Sequence, residues 1–175
     1  MNLLHDISAG ENIPETFNCI IEINKGSKNK YEIDKATGLI KLDRVMVTAQ
    51  DYPFDYGFIP QTDWYDGDAL DVVLLTTYPL FPGVLVECRP IAVMRMIDSG
   101  ERDEKIIAVP TGDVRFKDVK DLGDLNPHFI KEVDHFMTTY KKIQNKEVSI
   151  TGVEGAAAAK AVILEGMEMY KNSKK

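Results

Sequence analysis

The sequence has no long apolar run and very little cysteine. No stretch of about 18 apolar residues occurs in the 175-residue chain, so we expect no transmembrane helix. The first 15 residues lack a basic start and a long apolar core, which argues against a signal peptide. Cys19 and Cys88 lie in apolar segments, without a C-x-x-C motif or a Cys/His cluster. We therefore expect buried thiols, no zinc site and a cytoplasmic location.

Lysine and arginine are absent between Arg44 and Arg89. The net charge is −7 and the pI is near 5.0, which argues against a nucleic-acid or anionic-membrane partner. Either distant basic residues or bound cations must neutralise the carboxylates of this segment. These carboxylates are Asp51, Asp55, Asp63, Asp66, Asp68, Asp71 and Glu87.

Short segments with alternating polarity dominate residues 17–110 and predict strands. In FNCIIEI (17–23), Phe17 and Cys19 share one face while Glu22 lies on the other. These strands could form a twisted sheet or a small closed barrel, and the barrel is favoured because about six short strands must hide their edges. Further strands are predicted at KYEID, LIKLD, VVLLTT, VLVEC, IAVMRMI and KIIAVP.

The last third of the chain has helical periodicity. Asn126 and Pro127 are typical of an N-cap followed by proline at the first helical position. A second helix is predicted from about Glu154. Strands followed by helices indicate an α+β fold, and the length indicates one domain, residues 1–175.

The motif DGDALD brings three aspartates together just before a strand. Asp66 and Asp68 can converge across a turn at Gly67, and Asp71 begins the strand. Oxygen ligands without histidine or cysteine suit Mg²⁺ or Mn²⁺. An EF-hand is excluded, since Leu70 and Thr77 occupy positions that need carboxylates. A solvated hairpin turn is the alternative interpretation.

A second acidic group lies in IDSGERDEK, a predicted hairpin loop that could also be an ordinary charged surface loop. Basic and phenolic residues elsewhere could clamp phosphate opposite a metal. The acidic group contains Asp98, Glu101, Asp103 and Glu104, and the candidate clamps are Lys30, Arg44, Tyr52, Tyr56, Tyr140, Lys141 and Lys142.

Together these blocks resemble the family I soluble inorganic pyrophosphatases in their bacterial form. The order and spacing of the blocks carry the resemblance, which covers nearly the whole chain. It implies Mg²⁺-dependent hydrolysis of pyrophosphate to two phosphates, with several ions per site. It also implies a small closed five-stranded, OB-like barrel with C-terminal helices packed on it, and a homohexamer. The blocks are FNCIIEI, KYEIDKATG, YPFDYGFIPQT, DGDALDVVLL, YPLFPGVLVECRPIAVMRMID, DEKIIAVP and HFMTTYKK.

The resemblance also implies a role for each site residue. Asp68 accepts a proton from the attacking water, and Glu32 and Tyr52 belong to the surrounding polar network. Asp71 is shared between two metal ions. The implied metal ligands are Asp66, Asp71, Asp103, Asp98 and Glu22, and the implied phosphate ligands are Lys30, Arg44, Tyr56, Lys105, Tyr140 and Lys141.

Two positions depart from the family pattern. Ala69 replaces Pro or Glu after the second aspartate, which leaves the turn geometry open, and Asp55 replaces Asn, which we expect to add a negative charge near the site.

Two other functions stay open. A nucleotide phosphohydrolase would need a stacking aromatic, for which Trp64 is a candidate at the rim. A non-catalytic OB-type binding module would need a basic groove.

Overall fold

The structure is a computed structural model and describes residues 1–173. Three 3-10 helices, at Val114–Phe116, Leu122–Asp124 and Lys142–Gln144, join the main elements. Within the described part of the chain, these elements are β1 (Phe17–Ile23), β2 (Asn29–Ile33), β3 (Ile40–Val45), β4 (Asp55–Phe58), β5 (Asp71–Leu74), β6 (Leu85–Asp98), β7 (Glu101–Arg102), β8 (Lys105–Pro110), α1 (Pro127–Thr139), β9 (Val148–Gly155) and α2 (Ala156–Ser173).

Five strands close into a ring. Strand β1 pairs antiparallel with both β4 and β6, β4 pairs antiparallel with β5, and β8 joins β5 to β6. The β5–β8 pairing is parallel, and the other pairings in the ring are antiparallel. The predicted α+β fold with a small five-stranded OB-like barrel is therefore confirmed. The β2–β3 hairpin forms a separate two-stranded sheet.

Strand β6 is longer than the sequence predicted. Two separate strands were expected, one before Pro90 and one after it, but a single strand of 14 residues runs through Pro90. Pro90 lies at a bulge in the pairing with β8, where its missing N–H costs no regular ladder bond. The length of β6 lets it pair with β1, β7, β8 and β9.

Three strands were missed, and the second helix begins two residues later than its predicted start near Glu154. Strand β4 falls in the tyrosine-rich YPFDYGF segment, the two-residue β7 falls in the predicted IDSGERDEK loop, and β9 directly precedes the second helix. The first helix was predicted correctly: the Asn126 side chain accepts a hydrogen bond from the N–H of His128, with Pro127 at the start. Strand β9 alternates apolar and polar residues from Val148 to Thr151, so the sequence carried a strand signal there that was overlooked, and the register of its pairing with β6 shifts just beyond Ile150.

The core forms on both sides of the sheet, with one helix on each side. Val72 and Leu74 of β5 pack in a cluster that includes Val162 of α2. Val73, on the alternate face of β5, packs in a cluster that includes Phe136 of α1. Both cysteines are buried free thiols, as expected. No helix within residues 1–173 is long and apolar enough to cross a membrane.

Gly57 is where β4 passes closest to β1, and it gives the first prediction. A Cβ at position 57 would overlap the backbone carbonyl of Ile20. We expect Gly57→Ala to lower the free energy of unfolding by about 3 kcal/mol, since two paired backbones must move apart. Thermal unfolding should show a fall of roughly 5 °C or more. Gly112→Ala is the matched control, because nothing lies within 4 Å of its Cβ position. Equal melting temperatures for the two variants would contradict this account.

Candidate active site

A cavity of about 820 Å³ lies between the β2–β3 hairpin and one side of the barrel. Nine carboxylates and five lysines line it, so carboxylates outnumber ammonium groups. Twelve of the fourteen residues predicted from sequence line this cavity: Glu22, Lys30, Glu32, Tyr56, Asp66, Asp68, Asp71, Asp98, Asp103, Lys105, Tyr140 and Lys141. The sequence therefore identified residues that the fold brings together from six strands, the DGD loop and the end of α1.

The DGD loop is closed by its own backbone. The N–H of Trp64 donates to the carbonyl of Asp68 at 2.7 Å, and the N–H of Gly67 donates to the carbonyl of Trp64 at 3.0 Å. Gly67 has φ of +80°, a conformation that favours glycine. Asp66 also accepts a hydrogen bond from the N–H of Asp68 at 3.1 Å. These bonds hold the turn without a proline, and Ala69 packs in an apolar cluster beneath the cavity.

Lys105 lies between two of the carboxylates. Its Nζ is 2.5 Å from Asp71 Oδ2 and also pairs with Asp103. The parallel register pairs Asp71 directly with Lys105 across β5 and β8. Burial by itself would lower the pKa of Lys105, but Asp71 and Asp103 outweigh burial and raise it well above its usual value. Lys105 is therefore a fixed positive charge.

The remaining carboxylates are short of positive charge. Burial, followed by repulsion from Asp71, raises the pKa of Glu22 to about 8, although the Ile33 N–H donates to Glu22 at 2.7 Å. Burial also raises the pKa of Asp66 to about 6, with Asp103 adding repulsion. Such shifts mark carboxylates whose charge would be favoured by a bound cation.

The donor chemistry fits a hard divalent cation, since every carboxylate offers oxygen and no sulfur or imidazole lines the cavity. As placed, no three His, Cys, Asp or Glu side chains within residues 1–173 are grouped to hold a metal ion. The ammonium of Lys105 contacts both Asp71 and Asp103.

The other candidate ligands pair with carboxylates around the cavity. Lys141 pairs with Asp98, and its Nζ lies 5.3 Å from the ring centroid of Tyr140. Lys30 pairs with Glu32 and lies 3.5 Å from Asp43. Each cationic side chain that could bind phosphate is thus held by an acidic neighbour.

Two predicted residues do not line the cavity. Arg44 pairs with Asp43 beside Lys30, its cross-strand neighbour in the hairpin. Tyr52 is buried, with its ring centroid 4.8 Å from that of Phe136 and 5.9 Å from that of Tyr56. Tyr52 therefore supports the cavity wall from behind.

Two expectations about neighbouring residues were wrong. Asp55 adds no charge to the cavity, because alternation along β4 turns it away from Tyr56; it is fully buried and accepts hydrogen bonds from the backbone N–H groups of Lys25 and Leu80. Trp64 is no rim residue either. Its ring is buried, and its Nε1 donates to Glu104 at 2.6 Å, so it cannot stack on a bound base.

Lys35 lies at the site but was not predicted from the sequence. Its Nζ lies 2.6 Å from Asp68 Oδ1 and donates to the carbonyl of Gly67 at 2.9 Å. No spacing in the sequence signals this contact, because it depends on how the β2–β3 hairpin folds over the DGD loop. Asp43, which lines the cavity beside Arg44, was not predicted either. The register of the β2–β3 hairpin, which places Lys30 opposite Arg44, was the available signal for its position.

Comparisons with known proteins agree on one family. The family model described as inorganic pyrophosphatase matches residues 19–171. A soluble inorganic pyrophosphatase of Zea mays is 44% identical over 166 residues, covering 95% of this chain and 78% of the maize protein. An inorganic pyrophosphatase from Thermus thermophilus superposes with a TM-score of 0.94 at 42% identity, over 98% of this chain and 99% of that one. One from Helicobacter pylori gives 0.90 at 36% identity, over 95% and 99%.

The raised pKa of Glu22 predicts a pH-dependent stability in the presence of a chelator. Folding moves this pKa from 4.5 to about 8, so folding favours the protonated form. The contribution of Glu22 to stability is thus fully present below about pH 4.5 and is lost as pH rises towards 8. Between pH 5 and 8, the melting temperature of Glu22→Gln should therefore fall less than that of the wild type.

Glu11→Gln, at an exposed glutamate, is the control and should follow the wild-type curve. If the melting temperatures of Glu22→Gln and wild type instead change in parallel across this pH range, the pKa of Glu22 is not raised by folding.

Proposed function

The chain belongs to the family of soluble inorganic pyrophosphatases, and we propose that it hydrolyses pyrophosphate with Mg²⁺ and a directly attacking water molecule. The observation that carries the proposal is the single cavity wall on which clustered carboxylates face lysines and phenols. Pyrophosphate and metal ions have opposite charges, so a site for both needs both kinds of group.

The proposed metal ligands are carboxylates from separate strands and loops. Family membership implies a divalent metal requirement, and the all-oxygen donor set favours Mg²⁺, with Mn²⁺ as a possible substitute. Bound Mg²⁺ would supply Lewis acidity, which lowers the pKa of water and neutralises charge on pyrophosphate. Several ions per site would be held by Asp66, Asp71, Asp103, Asp98 and Glu22.

Cationic and phenolic side chains bind and orient the phosphate oxygens in this proposal. Lys30 and Arg44 approach from the hairpin, and Lys141 approaches from the end of α1. Lys105 is a buried fixed cation, so it can neutralise phosphate charge without changing its own protonation. The phenols of Tyr56 and Tyr140 complete the set, while Glu32 and Tyr52 keep Lys30 and Tyr56 in position.

Asp68 is the proposed proton acceptor. Its side chain is 62% exposed at the edge of the cavity, whereas Asp71 and Asp103 are held by Lys105. An accessible carboxylate beside the metal ligands can take a proton from the attacking water and release it to solvent. Lys35 fixes the orientation of this carboxylate.

We further propose that residues 1–175 act as one catalytic domain in a cytoplasmic homohexamer that binds neither nucleic acid nor membrane. Two buried free thiols are consistent with a reducing compartment. Exposed apolar side chains such as Phe81 and Tyr78 offer surface for contacts between subunits.

Phosphate release from pyrophosphate and from ATP, each measured with Mg²⁺ and with a chelator, tests the proposed function. We expect rapid release from pyrophosphate with Mg²⁺, loss of release with the chelator, and much slower release from ATP. Faster turnover of ATP would instead favour a nucleotide phosphohydrolase.

Asp68→Asn tests the proton acceptor. The substitution keeps the size of the side chain but removes its basicity, so kcat should fall by roughly 10²–10⁴-fold. Mg²⁺ binding, followed by thermal stabilisation, should change much less because Asp68 is not a proposed ligand. Wild-type turnover in this variant would assign the proton to another group.

Lys141 and Lys142 form a matched pair for testing the phosphate ligands. Lys141 lines the cavity, whereas Lys142 is exposed outside it. Lys141→Ala should raise KM for pyrophosphate and lower kcat, because it removes a cation that neutralises the substrate. Lys142→Ala should leave both constants near wild type. Similar losses in the two variants would mean that overall charge, not position, matters.

A further inference from the structure

A charged and aromatic cluster lies behind the cavity wall, where the proposed reaction uses none of its members. We call it the clasp. At its centre is Glu104, a carboxylate that is only 4% exposed. The clasp consists of Trp64, Tyr65, Arg95, Arg102, Glu104, Glu154 and Glu165.

The clasp joins the segment of Trp64 and Tyr65 to the segment of Arg102 and Glu104, and the contact runs through Glu104. One carboxylate oxygen of Glu104 accepts a hydrogen bond from Trp64 Nε1 at 2.6 Å, and the other accepts one from Arg102 Nε at 2.9 Å. The Arg102 guanidinium lies 4.3 Å from the ring centroid of Tyr65 and 5.2 Å from that of Trp64. Because an indole N–H can only donate, the buried carboxylate is its natural partner.

Each joined segment also carries carboxylates into the cavity. Asp103 and Lys105 line the cavity, while the alternate residues Arg102 and Glu104 belong to the clasp. On the other segment, Trp64 and Tyr65 directly precede Asp66. The distance between the Asp66 and Asp103 segments is therefore set on the side of the wall that faces away from the cavity.

A further hydrogen bond connects the clasp to α2. The Tyr65 hydroxyl donates to Glu165 at 2.7 Å, and the backbone N–H of Asp63 donates to the carbonyl of Gly166 at 3.0 Å. The DGD loop is thus anchored both to the β7–β8 connection and to α2.

We propose that Trp64 and Glu104 are positioning residues that hold the Asp66 and Asp103 carboxylates at the separation needed to bind a shared divalent cation. This inference rests on the proposed metal site. Groups that orient metal ligands from outside contribute to affinity by reducing the reorganisation on binding. Loss of the clasp should therefore weaken metal binding more than it slows the reaction of the metal-loaded enzyme.

Glu104→Gln is the principal variant. The glutamine oxygen can still accept from Trp64, but its NH₂ group then faces the donors of Arg102. Glu101→Gln is the matched control, since it removes the same charge from an exposed side chain two residues before Asp103. Trp64→Phe removes the indole N–H from the other partner and provides a second, independent disruption.

Two measurements on the full chain report Mg²⁺ binding. One is the Mg²⁺ concentration that gives half-maximal pyrophosphate hydrolysis. The other is the Mg²⁺ concentration that half-saturates the change in tryptophan fluorescence, with NaCl at matched ionic strength. Trp64 is the only tryptophan in the sequence and donates directly to Glu104, so its emission should change as the segments close on the ion.

In Glu104→Gln, both concentrations should rise roughly tenfold or more, with kcat at saturating Mg²⁺ near wild type. Glu101→Gln should match the wild type. Trp64→Phe should show the same rise in the activation assay, and the double variant should add little to it, because both changes break one contact.

Several results would overturn the inference. One is a lower melting temperature for Glu104→Gln in a chelator with unchanged half-saturating Mg²⁺, which would make the clasp purely structural. The inference would also be contradicted if the tryptophan fluorescence of the wild type did not change with Mg²⁺ although Mg²⁺ activated pyrophosphate hydrolysis normally. Wild-type hydrolysis that needs no divalent metal would overturn the proposed function itself, and with it this inference.

Discussion

The contact of Lys105 with two carboxylates is the interaction on which the cavity depends. An ammonium that is almost fully buried would be strongly disfavoured alone, and so would Asp71 and Asp103 without it. Together they keep charge in place on the barrel wall. The ammonium does not neutralise all of the acids, since the pKa values of Glu22 and Asp66 stay raised. The protein thus folds with a local excess of carboxylate, a cost in stability that proteins accept at functional sites.

The barrel makes this arrangement possible because it fixes neighbours by register rather than by sequence proximity. The parallel pairing of β5 with β8 sets Asp71 beside Lys105, and the closed ring brings Glu22 of β1 to the same side. A close approach at Gly57 lets β4 pack against β1, which places Tyr56 on the wall. Each functional side chain therefore depends on backbone pairing that spans a large part of the chain.

The sequence predicted the closed barrel, the first helix and the acidic cluster, because alternation, capping and a long gap in basic residues are local signals. It missed β9 although VSIT alternates, because that alternation covers only four residues before Gly152 and lies next to a helical pattern. It divided β6 at Pro90 because a bulge is not visible in composition. It placed Trp64 at the rim and Asp55 near the site, since sequence cannot show which way a side chain turns at a loop or on an unrecognised strand. Lys35 was missed because hairpin docking is a tertiary effect.

Alternation along residues 102–105 links the two sides of the wall. Asp103 and Lys105 face the cavity, and Arg102 and Glu104 face the clasp, so a change in the clasp is transmitted to the site by one rigid backbone segment. The buried charge of Glu104 requires several donors, and the DGD loop supplies one of them through Trp64. The hydrogen bond from Trp64 to Glu104 therefore helps to position the DGD loop. Asp66 of this loop is repelled by Asp103 across the cavity. Contacts behind the wall thus join the same two segments whose carboxylates, Asp66 and Asp103, repel each other across the cavity.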